Sequence, residues 1–184
     1  EKFVMAIPDT LDFAQAAPLL CAGITMYSPL RHWGAKKGMK VAILGLGGLG
    51  HMGVKYAKAM GSEVYVITSS PQKETAALEY GADGVIISSD KDAVESARRK
   101  FDLVIDTIPG KHDLELYLNM LRVDGTLVQV GPIATGLTFN ALLQRRTSIA
   151  GSGIGSVAET KEMLQFSADH GIVPDIDVID ISKI

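Results

Sequence analysis

The run VAILGLGGLGHMG, residues 41–53, constrains what this chain can fold into more than any other stretch. A short apolar, partly β-branched segment leads into glycines spaced Gly45-x-Gly47-x-x-Gly50. Apolar or small residues then recur at 49, 52, 53, 56, 57 and 60, while Lys55 and Lys58 fall elsewhere. The pattern is that of a strand, a tight turn and one face of a helix, with Gly61 to stop it. Each glycine removes a β-carbon that would obstruct the turn, an approaching pyrophosphate or the strand–helix contact. The helix that follows aims free N–H groups at an anion. Gly45, Gly47, Gly48, Leu49 and Gly50 are therefore candidate cofactor-binding residues. A ligand-free tight turn is the plain alternative, and methyltransferases also use glycine-rich first turns. The strand-turn-helix context is what favours a dinucleotide.

The rest of the chain repeats the alternation. A helical stretch is expected from Pro18 to about Trp33, closed off by Gly34 and Gly38, followed by a strand over 39–45 and the helix from Leu49. EVYVIT (63–68) reads as the next strand, with Ser70 as a helix N-cap and Pro71 at the first helical position. A helix to about Tyr80, a strand over 84–88, a polar helix over 90–99 and a strand FDLVIDTI (101–108) follow. A helix near 113–121 is expected to end before the turn Asp124-Gly125, which introduces strand TLVQVG. TSIAGSG (147–153) and a helix from Val157 to His170 complete the run. Strands separated by helical crossovers require a parallel sheet covered on both faces. The expected fold is thus α/β: a doubly wound parallel sheet of about six strands with helices on both faces, a Rossmann domain over residues 1–184. No linker divides the chain, and residues 1–33 form its leading segment and helix.

Composition narrows the partners. The chain has 184 residues, 47% of them hydrophobic, with 18 basic against 21 acidic side chains for a net charge of -3. No basic stripe stands out beyond Lys36-Lys37, Arg98-Arg99-Lys100 and Arg145-Arg146, so nucleic acid is not the expected partner. A membrane is not expected either, for no apolar run approaches twenty residues. The single cysteine, Cys21, excludes an internal disulfide framework and suits a reducing, cytoplasmic setting.

The second strand's end chooses among ligands. Dinucleotide sites of this kind usually carry an Asp or Glu about twenty residues beyond the glycines, which accepts hydrogen bonds from a ribose 2′-hydroxyl and repels a 2′-phosphate. Here VITSSPQK (66–73) offers Thr68, Ser69 and Ser70 instead. Ser69 and Ser70 can donate hydroxyl hydrogen bonds, and Lys73 can supply a positive charge. The reading is a phosphate pocket, hence NADP(H), against the plainer one of a helix cap and an exposed lysine. A methyltransferase would want the missing acid for its cofactor's ribose.

With these residues in hand, the chain resembles the zinc-dependent medium-chain alcohol dehydrogenases, in the cinnamyl-alcohol-dehydrogenase-like, NADP-dependent branch that includes bacterial broad-range aldehyde reductases. The resemblance covers nearly the whole chain. It is carried by AAPLLCAGITMYSPLRHW (16–33), VAILGLGGLGHMGVKYAKAMGSEV (41–64), SSPQK, EYGAD (79–83), FDLVIDT (101–107), DGTLVQVG (124–131) and GSGIGS (151–156). It implies a hydride transfer between NADPH and an aldehyde or primary alcohol. It also implies that Cys21 is a ligand of a catalytic Zn²⁺ and that Thr25, four residues on and on the same helical face, lies near the nicotinamide. Thr107, Val130, Gly131, Ser152, Gly153 and Ile154, each at the C-terminal end of an expected strand, should line the nicotinamide and ribose. Read from the residues alone, Cys21 is equally a small buried apolar group.

A catalytic zinc needs three protein ligands and an open position. His32, His51, His112 and His170 lack metal-ligand spacing relative to Cys21, and His51 is better suited to packing or capping. The family's remaining ligands come from a barrel-like catalytic domain absent from this chain, so the chain is expected to be the cofactor domain of a longer enzyme and inactive by itself. A cofactor-binding or sensor module without chemistry is the rival from another class. A zinc-free quinone oxidoreductase is a second enzymatic rival, against which Cys21 argues. TSIAGSG is expected to be the last strand of the sheet, whose unpaired edge invites a homodimer through 147–153.

Overall fold

The computed structural model of the chain describes residues 2–131 and 140–183. Its centre is a six-stranded sheet in the order β3-β2-β1-β4-β5-β6, parallel at every pairing. The strands are β1 (Lys40–Leu44), β2 (Glu63–Thr68), β3 (Gly84–Ile87), β4 (Phe101–Asp106), β5 (Leu121–Gln129) and β6 (Ser148–Gly151). The chain winds outward from β1 to β3, returns to pair β4 with β1, and winds outward again. Strand order therefore reverses between β1 and β4, the point at which doubly wound sheets open a crevice at their carboxyl ends.

Side-chain alternation along the strands assigns the layers. Val41, Ile43, Leu103 and Ile105 join one core with α1 (Phe13–Pro18), α2 (Ile24–His32), α3 (Gly48–Ala59), α4 (Glu74–Glu79) and α8 (Val157–His170). Ala42, Leu44, Val104 and Leu127 face the other core, with α5 (Lys91–Ser96), α6 (Leu114–Leu118) and Leu142 of α7 (Asn140–Arg145). Helices thus cover both faces, as the buried apolar run Val41–Leu44 of β1 requires. Every residue of β4 is buried. That includes two carboxylates: Asp102 accepts the Lys40 N–H at 2.8 Å and pairs with Arg122, and Asp106 has partners described below.

Four expectations are corrected. The leading helix starts at Phe13, capped by the Asp12 carboxylate on the N–H groups of Ala14 and Gln15. It then widens over Leu19–Gly23 into a π-turn, where the Ile24 N–H donates to Leu19 O five residues back. Within this turn Cys21 is exposed, and Thr25 just beyond it is buried. Third, Ser70 and Pro71 do take the N-cap and first positions, but the Ser70 hydroxyl makes no cap bond and donates to Gln72 Oε1 at 2.8 Å, and the first turn is 3₁₀, Pro71–Lys73. Finally, α6 ends at Leu118, and Asp124-Gly125 lies inside β5 rather than before it. Residues 122–125 loop out of register, since Phe101 pairs with Leu121 and Leu103 with Thr126. Asp124 takes a left-handed φ of 65°, held there by Arg146.

Candidate functional site

The glycine turn bridges the switch point. Gly45 follows β1 at φ 85°, and a β-carbon there would lie 3.0 Å from Thr107 Oγ1 at the end of β4. Thr107 in turn donates its N–H and hydroxyl to Leu44 O at 3.1 and 2.6 Å, tying the two strand ends together. Gly50 sits in the first turn of α3 with its Cα against Gly45 O, so a side chain there would collide with backbone. Gly47 and Gly48 are different. A β-carbon on either meets nothing within 4 Å, and Gly47 caps α3 without any side-chain bond. Gly45 and Gly50 are thus explained by the chain's own geometry, and the open space at Gly47 and Gly48 fits an approaching pyrophosphate at the N-terminus of a 12-residue helix. Leu49 is half-buried against the core below.

Beside this turn lies a cavity of about 360 Å³ at the carboxyl ends of the strands. Gly45 and Leu46 form one wall, Thr68, Ser69, Ser70 and Lys73 another, and Ile108, His112 and Tyr117 of the β4–α6 segment the third. The Ser70 N–H donates to Thr68 Oγ1 at 3.2 Å, and Lys73 Nζ donates to Leu46 O at 2.8 Å. Lys73 therefore spans from the serine segment to the glycine turn. It also borders, with Leu46, a second cavity of about 340 Å³, shared with Gly47, Gly48, His51 and Tyr80. His51 Nδ1 is 3.2 Å from Gly47 O, its ring packs on Tyr80, and its Nε2 is buried with no hydrogen-bond partner among the described residues. Burial holds the imidazole below its ordinary pKa.

Three groups of candidates are thus placed. Gly45, Gly47, Gly48, Ser69, Ser70 and Lys73 converge on adjoining cavities, and Thr107 lies against the turn. Val130 donates its N–H to Asp106 O at 3.1 Å, and Gly131 follows it close to Ile108. Ser152, Gly153 and Ile154 line a separate polar cavity of about 410 Å³ with Ser28, His32 and Trp33. Ile154 there has a left-handed φ of 56° and is 57% exposed.

His112, Ile108 and Tyr117 were missed as cavity-lining residues. The only signal in the sequence was that they follow the end of a buried strand, where such ligands bind.

The metal question is answered by the donor set. No group of three or more His, Cys, Asp or Glu side chains that could hold a metal ion occurs among the described residues. Cys21 has no companion donors among the described residues, which by themselves do not supply the three protein ligands of a catalytic zinc.

A 3-2-1-4-5-6 sheet with a glycine turn at its switch point defines a doubly wound domain of the Rossmann class. Comparison with known proteins goes further: residues 48–169 match the zinc-binding dehydrogenase family. The chain belongs to that family. It is 50% identical over 184 residues to an NADP-dependent alcohol dehydrogenase C of Mycobacterium bovis, covering 98% of this chain and 53% of that protein. Among solved structures, a cinnamyl alcohol dehydrogenase of Sorghum bicolor superimposes with a TM-score of 0.96 at 40% identity, over 99% of this chain and 53% of that one. The enzyme from Helicobacter pylori, solved with NADP(H), gives a TM-score of 0.87 at 38% identity, over 97% and 52%. The chain spans about half the length of the relatives it matches.

Proposed function

We propose that this chain is the cofactor-binding half of an NADP(H)-dependent alcohol dehydrogenase or aldehyde reductase. The observation that carries the proposal is the end of β2: Ser69, Ser70 and Lys73 line the cavity next to the glycine turn where an acid would select NAD(H). The NADP-dependent relative and the NADP(H)-bound neighbour support the same reading. The N–H groups at Gly47 and Gly48 would hold the pyrophosphate, the two serines and Lys73 the 2′-phosphate. Thr107, Val130 and Gly131 would lie along the path to the nicotinamide, with Ser152, Gly153, Ile154 and the buried Thr25 at its far end. When bound, the nicotinamide supplies the hydride that reduces an aldehyde or is returned by a primary alcohol. Cys21 would contribute one thiolate to a zinc site whose other ligands are not among the described residues. The outer edge of β6, the last strand of the sheet among the described residues, would pair with a second copy, making a homodimer.

The serines give the sharpest test. Ser70→Asp sets a carboxylate beside the 2′-phosphate position, where it repels NADPH and can accept the ribose hydroxyls of NADH. We expect NADPH affinity to fall at least about tenfold, as one lost charge-assisted contact implies, while NADH binding holds or improves. An equal loss for both cofactors, read by calorimetric titration, would contradict the assignment.

A further inference from the structure

Asp106 is a wholly buried carboxylate at the switch point, bonded to Ile108 and His112, two residues that line the cavity the nucleotide would fill. Its Oδ1 accepts the Ile108 N–H at 2.9 Å; its Oδ2 accepts Gln129 Nε2 at 2.6 Å and faces His112 Nε2 at 2.6 Å. The other ring nitrogen of His112 lies 2.9 Å from Gly110 O. Both nitrogens of the imidazole thus face oxygen acceptors. A neutral ring has one N–H and one lone pair, and would point that lone pair at an oxygen of one of them; an imidazolium donates to both. His112 itself lines the cavity alongside Ser69, Ser70 and Lys73, with only 10% of its side chain exposed.

The consequence is electrostatic. A bare carboxylate behind this cavity would repel a ligand whose recognition rests on phosphates, and in a partly desolvated site that repulsion is weakly screened. A proton held between His112 and Asp106 neutralises the charge behind this wall of the cavity and leaves Lys73 as a cation on another. We propose that His112 is a positioning residue for phosphorylated adenosine: acting through Asp106, it cancels the buried charge that would otherwise exclude the phosphates. The inference rests on the cofactor reading above.

The test separates charge from packing. Adenosine 2′,5′-bisphosphate and unphosphorylated adenosine are titrated into the wild-type chain, His112→Gln, Asp106→Asn and the double variant, each checked for unchanged thermal unfolding. The glutamine amide can still donate to Asp106 but carries no charge. In His112→Gln the bisphosphate should bind about tenfold more weakly, a loss in keeping with one unit charge facing a phosphate dianion across such a cavity, and adenosine should be nearly unaffected. Adding Asp106→Asn removes the uncompensated carboxylate and should restore bisphosphate binding. Equal losses for both ligands, or no rescue in the double variant, would overturn the proposal and leave the cofactor site standing. Failure of the wild type to bind the bisphosphate would overturn the cofactor reading as well. Should a variant unfold, ¹⁵N spectra of the wild-type imidazole decide the matter. Two protonated ring nitrogens at the pH of the titrations are expected, and one deprotonated nitrogen refutes it.

Discussion

A methyl group at Gly50 would strike the carbonyl of Gly45, whereas the same group at Gly47 would enter empty space. The two glycines of one motif therefore separate folding from binding. Gly50→Ala must push α3 off β1 and should cost about 1–3 kcal/mol of stability, as overpacking a tight backbone contact does. Gly47→Ala should cost less than about 1 kcal/mol, the difference between two capping residues. It should nevertheless weaken NADPH binding severely by obstructing the pyrophosphate. Urea unfolding and calorimetry of the two variants check this. Comparable stability losses, or Gly47→Ala binding NADPH like wild type, would contradict it. The glycine turn was legible in the sequence because its causes are local, within six residues. The His112–Asp106–Gln129 network was not. Its members are six and 23 residues apart, and FDLVIDT reads as a hydrophobic strand until the sheet brings Gln129 alongside Asp106.

At the scale of elements, α8 is fastened to α2 by two carboxylates. Glu159 caps α8 with Ser156 in a reciprocal box and accepts the Ser28 hydroxyl at 3.0 Å. Glu162 accepts the Tyr27 hydroxyl at 2.9 Å and Arg31 Nε at 2.6 Å. The Ser156 N–H holds Glu159, and the Arg31 guanidinium holds Glu162, below the ordinary 4.5. Folded values below unfolded ones mean that these bonds contribute stability above about pH 4.5 and lose it as the pH falls through the lower folded values. Both groups are largely solvated, so the effect should be modest. We expect the double variant Glu159→Gln, Glu162→Gln to be less stable than wild type at pH 7 and to show less of a further loss between pH 5 and pH 3.5 in urea titrations; identical acid sensitivity would argue against the clasp. Ser156→Ala should cost about 1 kcal/mol through the lost cap. The sequence foretold α8's extent but not its partners. The π-turn at Cys21 was not foreseen, although Pro18, which has no N–H, and Gly23 flank its centre.

For the whole molecule, the period of alternating strands and helices was enough to anticipate six parallel strands covered on both faces. The looped-out residues 122–125 escaped notice because Asp-Gly serves a hairpin-like turn and a register break equally well. The arrangement has two consequences. Since β6 ends the sheet among the described residues, its outer edge should pair with a second copy, and sedimentation at micromolar concentration should give twice the 19.6 kDa chain mass; a monomer would count against the dimer. Since Cys21 has no companion donors among the described residues, the 184-residue chain should retain no stoichiometric zinc after dialysis and should not oxidise NADPH with added aldehyde. Either activity would refute the view that this chain supplies only the cofactor half of the chemistry.

That view stands or falls on which dinucleotide the molecule prefers. Calorimetric titration of the chain with NADPH and with NADH, for wild type and Lys73→Ala at low and moderate salt, is the most direct measurement. The account predicts at least about a tenfold preference of the wild type for NADPH, equivalent to one net charge-assisted contact. It also predicts that the preference shrinks as salt rises and is largely lost in Lys73→Ala, with NADH binding unchanged. Equal wild-type affinities, or an equal loss of both cofactors in Lys73→Ala, would contradict it.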